Sequence, residues 1–135
     1  MLAGVVGTAV ALHVDVEPYG PGDSEYAGGQ RLLRRVVTAS GPQCADHVVV
    51  DGAFATAPFL RTGGALGLQV IARLKGNLPD LVQAAQRRFA VTPPMQTFRD
   101  GHDWVEVWDA ADFDRWESLR WATVRVLRDR QHKPD

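Results

Sequence analysis

The segment Asp46–Lys75, DHVVVDGAFATAPFLRTGGALGLQVIARLK, decides how the rest of the chain is interpreted. Its apolar run Val48–Val50 predicts a strand buried on both faces, as in the middle of a parallel sheet. The pair Asp51-Gly52 ends that run and delivers a carboxylate at the carboxyl end of the strand. Ligands and metals collect at that edge of open α/β sheets, so Asp51 is the first candidate functional residue.

The composition is that of an ordinary soluble protein with one domain. The chain has 135 residues, of which 45% are hydrophobic and 23% are charged, with a net charge of −1. The single cysteine, Cys44, excludes an internal disulfide and fits a reducing compartment. No apolar run is long enough to span a bilayer, and Met1–Val16 lacks the basic start of a signal peptide. We therefore expect a cytoplasmic protein, and the net charge neither supports nor excludes nucleic-acid binding.

Strand and helix patterns alternate through the first two thirds of the chain. Period-2 alternation predicts half-buried strands, and apolar residues spaced three and four apart predict helices. The predicted elements are a strand stub (Ala3–Val6), a strand (Val10–Val16), a helix capped by Asp23 or Ser24 and ended by Ser40-Gly41-Pro42, the strand Asp46–Asp51, a helix from Thr56 to Gly67, the strand Leu68–Leu74, and a helix capped by Asn77 and stopped by Thr92-Pro93-Pro94.

The pattern changes at Met95. Three strands are predicted at Gln96–Arg99, Trp104–Trp108 and Leu119–Leu127, with Asp100-Gly101 as a hairpin turn between the first two. We therefore divide the chain into an α/β core, residues 1–92, and a β-rich segment, residues 93–135.

The order of these elements and several short motifs resemble the DDE transposases of bacterial insertion sequences. That cut-and-paste family has an RNase H-like core that is interrupted by a β-rich insertion. The matching motifs are Asp15-Val16-Glu17-Pro18, Gly20-Pro21-Gly22-Asp23-Ser24-Glu25, Leu32-Leu33-Arg34-Arg35, Val49-Val50-Asp51-Gly52-Ala53-Phe54-Ala55 and Arg73-Leu74-Lys75-Gly76-Asn77. Their order and spacing, rather than any single motif, carry the resemblance.

The resemblance implies a mixed α/β sheet of the RNase H-like type that lacks the first strand and the last catalytic helix, followed by a truncated β-rich insertion. Asp51 takes the middle position of the catalytic, metal-binding triad, and the other two acids have no counterpart. The chain then looks like an internal fragment of a transposase. The missing first strand is the central one of that sheet, so its neighbours lose the partner between them.

The resemblance also implies a chemistry. Full-length members cleave DNA and transfer strands with Mg²⁺ or Mn²⁺ held by carboxylates. One carboxylate does not hold two such ions, so this chain alone is expected to be inactive. The implied partners are DNA, as transposon ends, and a second copy in a homodimer, with no membrane, in the bacterial cytoplasm at the nucleoid.

Several residues keep two interpretations at this stage. Asp51 is either a metal ligand or an ordinary turn acid, and Arg73 and Lys75 either contact DNA phosphate or form a solvated strand end. Three other acids, Asp15, Glu17 and Glu106, are interpreted as solvated surface charges. The cations Arg120, Arg125, Arg128, Arg130 and Lys133 are interpreted as balancing the acids of residues 100–117, and the tryptophans as the small β core.

Two functions from other classes also remain open. One is a non-catalytic DNA-binding or regulatory remnant of a transposase, and the other is a product without function.

Overall fold

The computed structural model describes residues 2–6, 11–113 and 124–133, and shows a mixed α/β protein. Its elements are β1 (Leu2–Val6), β2 (Ala11–Val16), α1 (Glu25–Ser40), β3 (His47–Val50), a 3₁₀ turn (Gly52–Phe54), α2 (Ala57–Ala65), β4 (Gln69–Ala72), α3 (Pro79–Val91), β5 (Gln96–Asp100), β6 (Asp103–Phe113) and β7 (Val124–His132). The chain divides into two compact units, residues 1–77 and 78–135. Within the described residues, no helix is both long enough and apolar enough to cross a bilayer.

The first unit contains two separate two-stranded sheets. β1 pairs antiparallel with β2, and β3 pairs parallel with β4, with Val49 opposite Ile71. The segment β3–α2–β4 is therefore a βαβ unit. No described strand joins the two sheets, and a cavity of about 600 Å³ is lined by residues of β1, β2, β3 and α1. The predicted mixed arrangement of strands and helices is thus present, but the strands do not form one continuous sheet.

The prediction that Val48–Val50 is buried on both faces is wrong. Val49 is 74% exposed, whereas Val48 and Val50 are partly covered. Ile71, the partner of Val49 on β4, is 51% exposed as well, so this face of the two-stranded sheet is open to solvent in the part of the chain that the structure describes.

Helices α1 and α2 begin and end close to the predicted positions. Ser24 caps α1 by accepting a hydrogen bond from the backbone N–H of Ala27 at 3.1 Å. Pro58 lies in the first turn of α2, where its missing N–H costs nothing. Buried apolar residues of this unit include Leu32, Phe54, Phe59 and Leu68.

The prediction that Asn77 caps α3 is wrong. The helix begins at Pro79, with Leu78 at the cap position and no side-chain cap hydrogen bond. The Asn77 carboxamide instead donates to the backbone carbonyls of Gly52 and Ala55. A tertiary contact has therefore replaced the local one.

The second unit contains α3 and a three-stranded antiparallel sheet in the order β5-β6-β7. The buried face of α3 carries Leu81, Ala85 and Phe89, as predicted. Gly101, with φ of 59°, occupies the predicted hairpin turn, because this left-handed backbone suits glycine. Strands β6 and β7 extend beyond their predicted ends, and the start of the strand predicted at Leu119–Leu127 lies outside the described residues.

Candidate functional site

Asp51 lies at the carboxyl end of β3, where the strand passes into the 3₁₀ turn. We call residues 51–55 the acid turn. The backbone N–H of Phe54 donates to the Asp51 carbonyl at 2.9 Å, and that of Ala55 donates to the Gly52 carbonyl at 3.1 Å. The turn therefore leaves the Asp51 side chain free to project, and this side chain is 66% exposed.

The segment that follows β4 meets the acid turn. We call residues 73–77 the lysine segment. Because β3 and β4 are parallel, their carboxyl ends lie at the same edge, and Lys75 Nζ is 2.8 Å from Asp51 Oδ1. The structure thus brings together two of the three predicted site residues. The third, Arg73, is exposed and touches the acid turn with its backbone carbonyl, which lies against Gly52.

The charge of Lys75 favours the ionised form of Asp51. A hydrogen bond from Lys75 holds the pKa of the Asp51 carboxyl below its usual value, and the attraction of the ammonium charge adds to this effect. Backbone N–H groups of Gly52 and Ala53 lower the pKa further, and desolvation opposes them. Asp51 is therefore an ionised acceptor at neutral pH.

Asn77 also belongs to this site, although the sequence pattern predicts it as the cap of α3. Its Nδ2 donates to the Gly52 carbonyl at 3.1 Å and to the Ala55 carbonyl at 3.0 Å. These two carbonyls lie at the start and end of the 3₁₀ turn. No local sequence signal marks a contact that spans 22 and 25 residues, whereas the cap pattern around Asn77 is local and misleading.

The described residues do not fit a two-metal centre by themselves. Two Mg²⁺ ions need several oxygen ligands, and Asp51 supplies one carboxylate that already pairs with Lys75. In the part of the chain that the structure describes, no group of three or more His, Cys, Asp or Glu side chains could hold a metal ion.

A separate network of acids and arginines joins β2 and the loop that follows it to α1. Arg31 pairs with Glu17 at 2.7 Å and with Asp23 at 2.5 Å, and Arg35 pairs with Glu17 at 2.6 Å and with Asp15 at 2.7 Å. Hydrogen bonds from Arg35 and Arg31 lower the pKa of Glu17. The network fixes the helix on the strand.

The interpretation of three acids as solvated surface charges is corrected by these contacts. Glu17 is 7% exposed, Asp15 is half-buried against Arg35, and Glu106 pairs with His132 at 2.7 Å. In each case a basic side chain on a neighbouring element covers the carboxylate, which a strand pattern alone does not show.

One face of the three-stranded sheet carries most of its cations. Cross-strand pairing aligns Arg99 with Trp104 and His132, Glu106 with Arg130, and Trp108 with Arg128. We call Arg99, Trp104, Arg128 and Arg130 the basic face. The Arg99 and Arg128 guanidinium carbons lie 5.5 Å and 5.1 Å from the ring centroids of Trp104 and Trp108.

Arg125 and Trp108 have the environments predicted from the sequence. Arg125 alternates onto the opposite side of β7 from the basic face and pairs with Asp109, which agrees with a balancing role. Trp108 is 7% exposed and belongs to the core of the unit, whereas Trp104 is 48% exposed. Arg120, Trp116 and Trp121 lie outside the described residues.

The fold and the site define an α/β protein with a carboxylate–lysine pair at the edge of two parallel strands. In comparisons with protein-family models, curated proteins and solved structures, nothing matched this chain.

Proposed function

We propose that this chain is part of the catalytic core of a DDE transposase, in which Asp51 is the middle metal-binding carboxylate. The observation that carries the proposal is the placement of Asp51 at the carboxyl end of a parallel strand, on an exposed turn beside Lys75.

The separation of the two sheets supports the same proposal. In an RNase H-like sheet the first strand lies between the pair that corresponds to β1-β2 and the pair that corresponds to β3-β4. Those two pairs are separate here, and a cavity of about 600 Å³ touches both of them. A strand from elsewhere in the full-length polypeptide would fill this cavity and complete the sheet.

The proposed reaction is DNA cleavage and strand transfer at transposon ends by a homodimer, in the bacterial cytoplasm at the nucleoid. Mg²⁺ or Mn²⁺ bound by the complete carboxylate set would activate the attacking oxygen. Within this chain, Asp51 would contribute one ligand, and Lys75 and Arg73 would contact phosphate groups of the DNA. The chain without the other carboxylates would be inactive.

The test is a strand-transfer assay with Mg²⁺ and transposon-end DNA, on the chain extended by its flanking reading frame. We expect the extended protein to join strands and Asp51→Asn to reduce the product to background, because a metal ligand is lost. Asp129→Asn, an exposed acid on β7, is the matched control and should keep full activity.

Two results would contradict the proposal. Activity of the extended Asp51→Asn protein would remove Asp51 from the metal site. Robust activity of the 135-residue chain alone, abolished by Asp51→Ala, would show that it is not an inactive fragment.

A second candidate function is DNA binding without catalysis. The observation that favours it is the basic face, where three exposed arginines and the exposed ring of Trp104 share one side of a sheet with Glu106 as the opposing charge. Arginines contact phosphates, and an exposed aromatic ring stacks on unpaired bases. Such a protein would compete with a transposase for its DNA ends.

Salt-dependent gel shifts test this function. We expect Arg128→Ala combined with Arg130→Ala to weaken binding to all sequences. The slope of log K against log salt concentration should fall in magnitude by about 2, since each phosphate contact contributes about one to that slope. Arg87→Ala, an exposed arginine on α3, should leave the slope unchanged. No binding at low salt would exclude this candidate.

A further inference from the structure

We propose that Asn77 is the positioning residue of the site, and that its carboxamide holds the acid turn against the lysine segment so that Asp51 and Lys75 stay paired. The inference rests on the proposed function for the importance of Asp51, but its geometry does not depend on DNA or metal. Asn77 donates its two hydrogen bonds to backbone carbonyls, so its effect on the ion pair is transmitted through the backbone.

The chemistry of the carboxamide explains why an asparagine stands here. Its Nδ2 carries two N–H donors, and each meets one carbonyl, that of Gly52 at 3.1 Å and that of Ala55 at 3.0 Å. A serine offers one donor and an ionised aspartate offers none. Asparagine is therefore the short side chain that satisfies both carbonyls at once and fixes both ends of the turn.

The second contact between the two segments is made at Gly52. A Cβ built on Gly52 would collide with the Arg73 backbone carbonyl and would lie 2.9 Å from Lys75 Cδ. The backbone of the lysine segment therefore passes directly over Gly52, and the lysine stem lies along it. Asn77 holds the segment at one end of this close approach, and the parallel pairing of Val50 with Ala72 holds it at the other.

These constraints matter because the ion pair is exposed. The side chains of Asp51 and Lys75 are 66% and 46% exposed, and water competes with such pairs. A long lysine side chain also has many rotamers available, so a pair of this kind persists when the backbone that carries it is fixed. Asn77 supplies that fixation.

The test is the NMR signal of the Lys75 side-chain ammonium. An ammonium held by a carboxylate exchanges its protons slowly and gives a ¹H–¹⁵N cross-peak, and Asp51→Asn provides the reference without the pair. We expect Asn77→Ala to lose the cross-peak as Asp51→Asn does. Asn77→Leu, which keeps a similar branched shape and removes the donors without adding a charge beside Lys75, should lose it as well.

Thr62→Ala separates positioning from a general loss of stability. Thr62 is buried in the same unit, accepts a hydrogen bond from Arg34 at 3.2 Å and donates to Gln30 at 3.0 Å, so its removal weakens the fold away from the site. We expect Thr62→Ala to keep the Lys75 cross-peak even when its melting temperature falls as far as that of Asn77→Ala.

An unchanged cross-peak in folded Asn77→Ala or Asn77→Leu would overturn the proposal, and so would its loss in Thr62→Ala. Neither outcome depends on catalysis. A transposase assay that fails while the cross-peak behaves as expected would reject the proposed function and leave the positioning role intact.

Discussion

Replacing Phe59 by alanine is expected to lower the free energy of unfolding by about 3–5 kcal/mol, the usual loss for a buried phenylalanine. Phe59 is 2% exposed and its ring packs edge-on against Phe54, with centroids 5.2 Å apart. Phe54 in turn packs on Tyr26 at 5.6 Å. The substitution removes the α2 end of an aromatic cluster in which Phe54 of the acid turn lies between Phe59 and Tyr26 of α1.

Urea unfolding followed by far-ultraviolet circular dichroism measures this loss. All four tryptophans lie beyond residue 100, so their fluorescence gives a parallel signal from residues 78–135. Phe98→Ala is the matched control, because Phe98 is 41% exposed and should cost less than about 1 kcal/mol. A loss below about 1 kcal/mol for Phe59→Ala would show that the cluster is not part of the core.

The position of Asp51 could be predicted from the sequence because every cue for it is local. A short apolar run ends at an acid-glycine pair, a helix follows, and a second apolar run ends in basic residues. This pattern is that of a βαβ unit, and parallel pairing then forces the ends of β3 and β4 to the same edge. The proximity of Lys75 to Asp51 follows from that topology.

The exposure of Val49 could not be predicted in the same way. An apolar run indicates that a strand is compatible with burial, but it does not show which faces of the strand other elements cover. Val49 and its β4 partner Ile71 share the face of the sheet that is exposed among the described residues, whereas Val48 and Val50 lie on the partly covered face.

The burial of Glu17 is indicated by the sequence when the spacing of its acids is compared with the spacing of the arginines on α1. Asp15 at the end of β2 and Glu17 just after it lie two residues apart, and Arg31 and Arg35 lie four apart on one helix face. The two spacings place two acids opposite two arginines when the helix packs on the strand. Each pattern considered alone predicts solvated charges, whereas the two patterns considered together predict the paired network that the structure contains.

Gly52 lies both in the acid turn and at the close approach of the lysine segment. As part of an acid-glycine pair, it indicates a turn, and many turn positions accept other residues. The structure adds a stronger requirement, because the backbone carbonyl of Arg73 occupies the space where a Cβ would be. A backbone atom cannot rotate away as the end of a side chain can.

Gly52→Ala is therefore expected to lower the free energy of unfolding by about 1–3 kcal/mol, the usual cost of overpacking, and to separate the acid turn from the lysine segment. Urea unfolding measures the first effect, and loss of the Lys75 ammonium cross-peak reports the second. Both follow from one displacement, since the carbonyl that must move belongs to the segment that carries Lys75.

Gly64→Ala tests whether any glycine substitution in this unit would do the same. Gly64 lies in α2, and a Cβ there would meet nothing within 4 Å. Alanine reduces the freedom of the unfolded chain and favours the helix, so we expect a gain of about 0.4–1 kcal/mol. If the free energy of unfolding falls in Gly52→Ala and rises in Gly64→Ala, the loss at Gly52 is due to the close approach of the lysine segment. A fall in both variants would contradict that assignment.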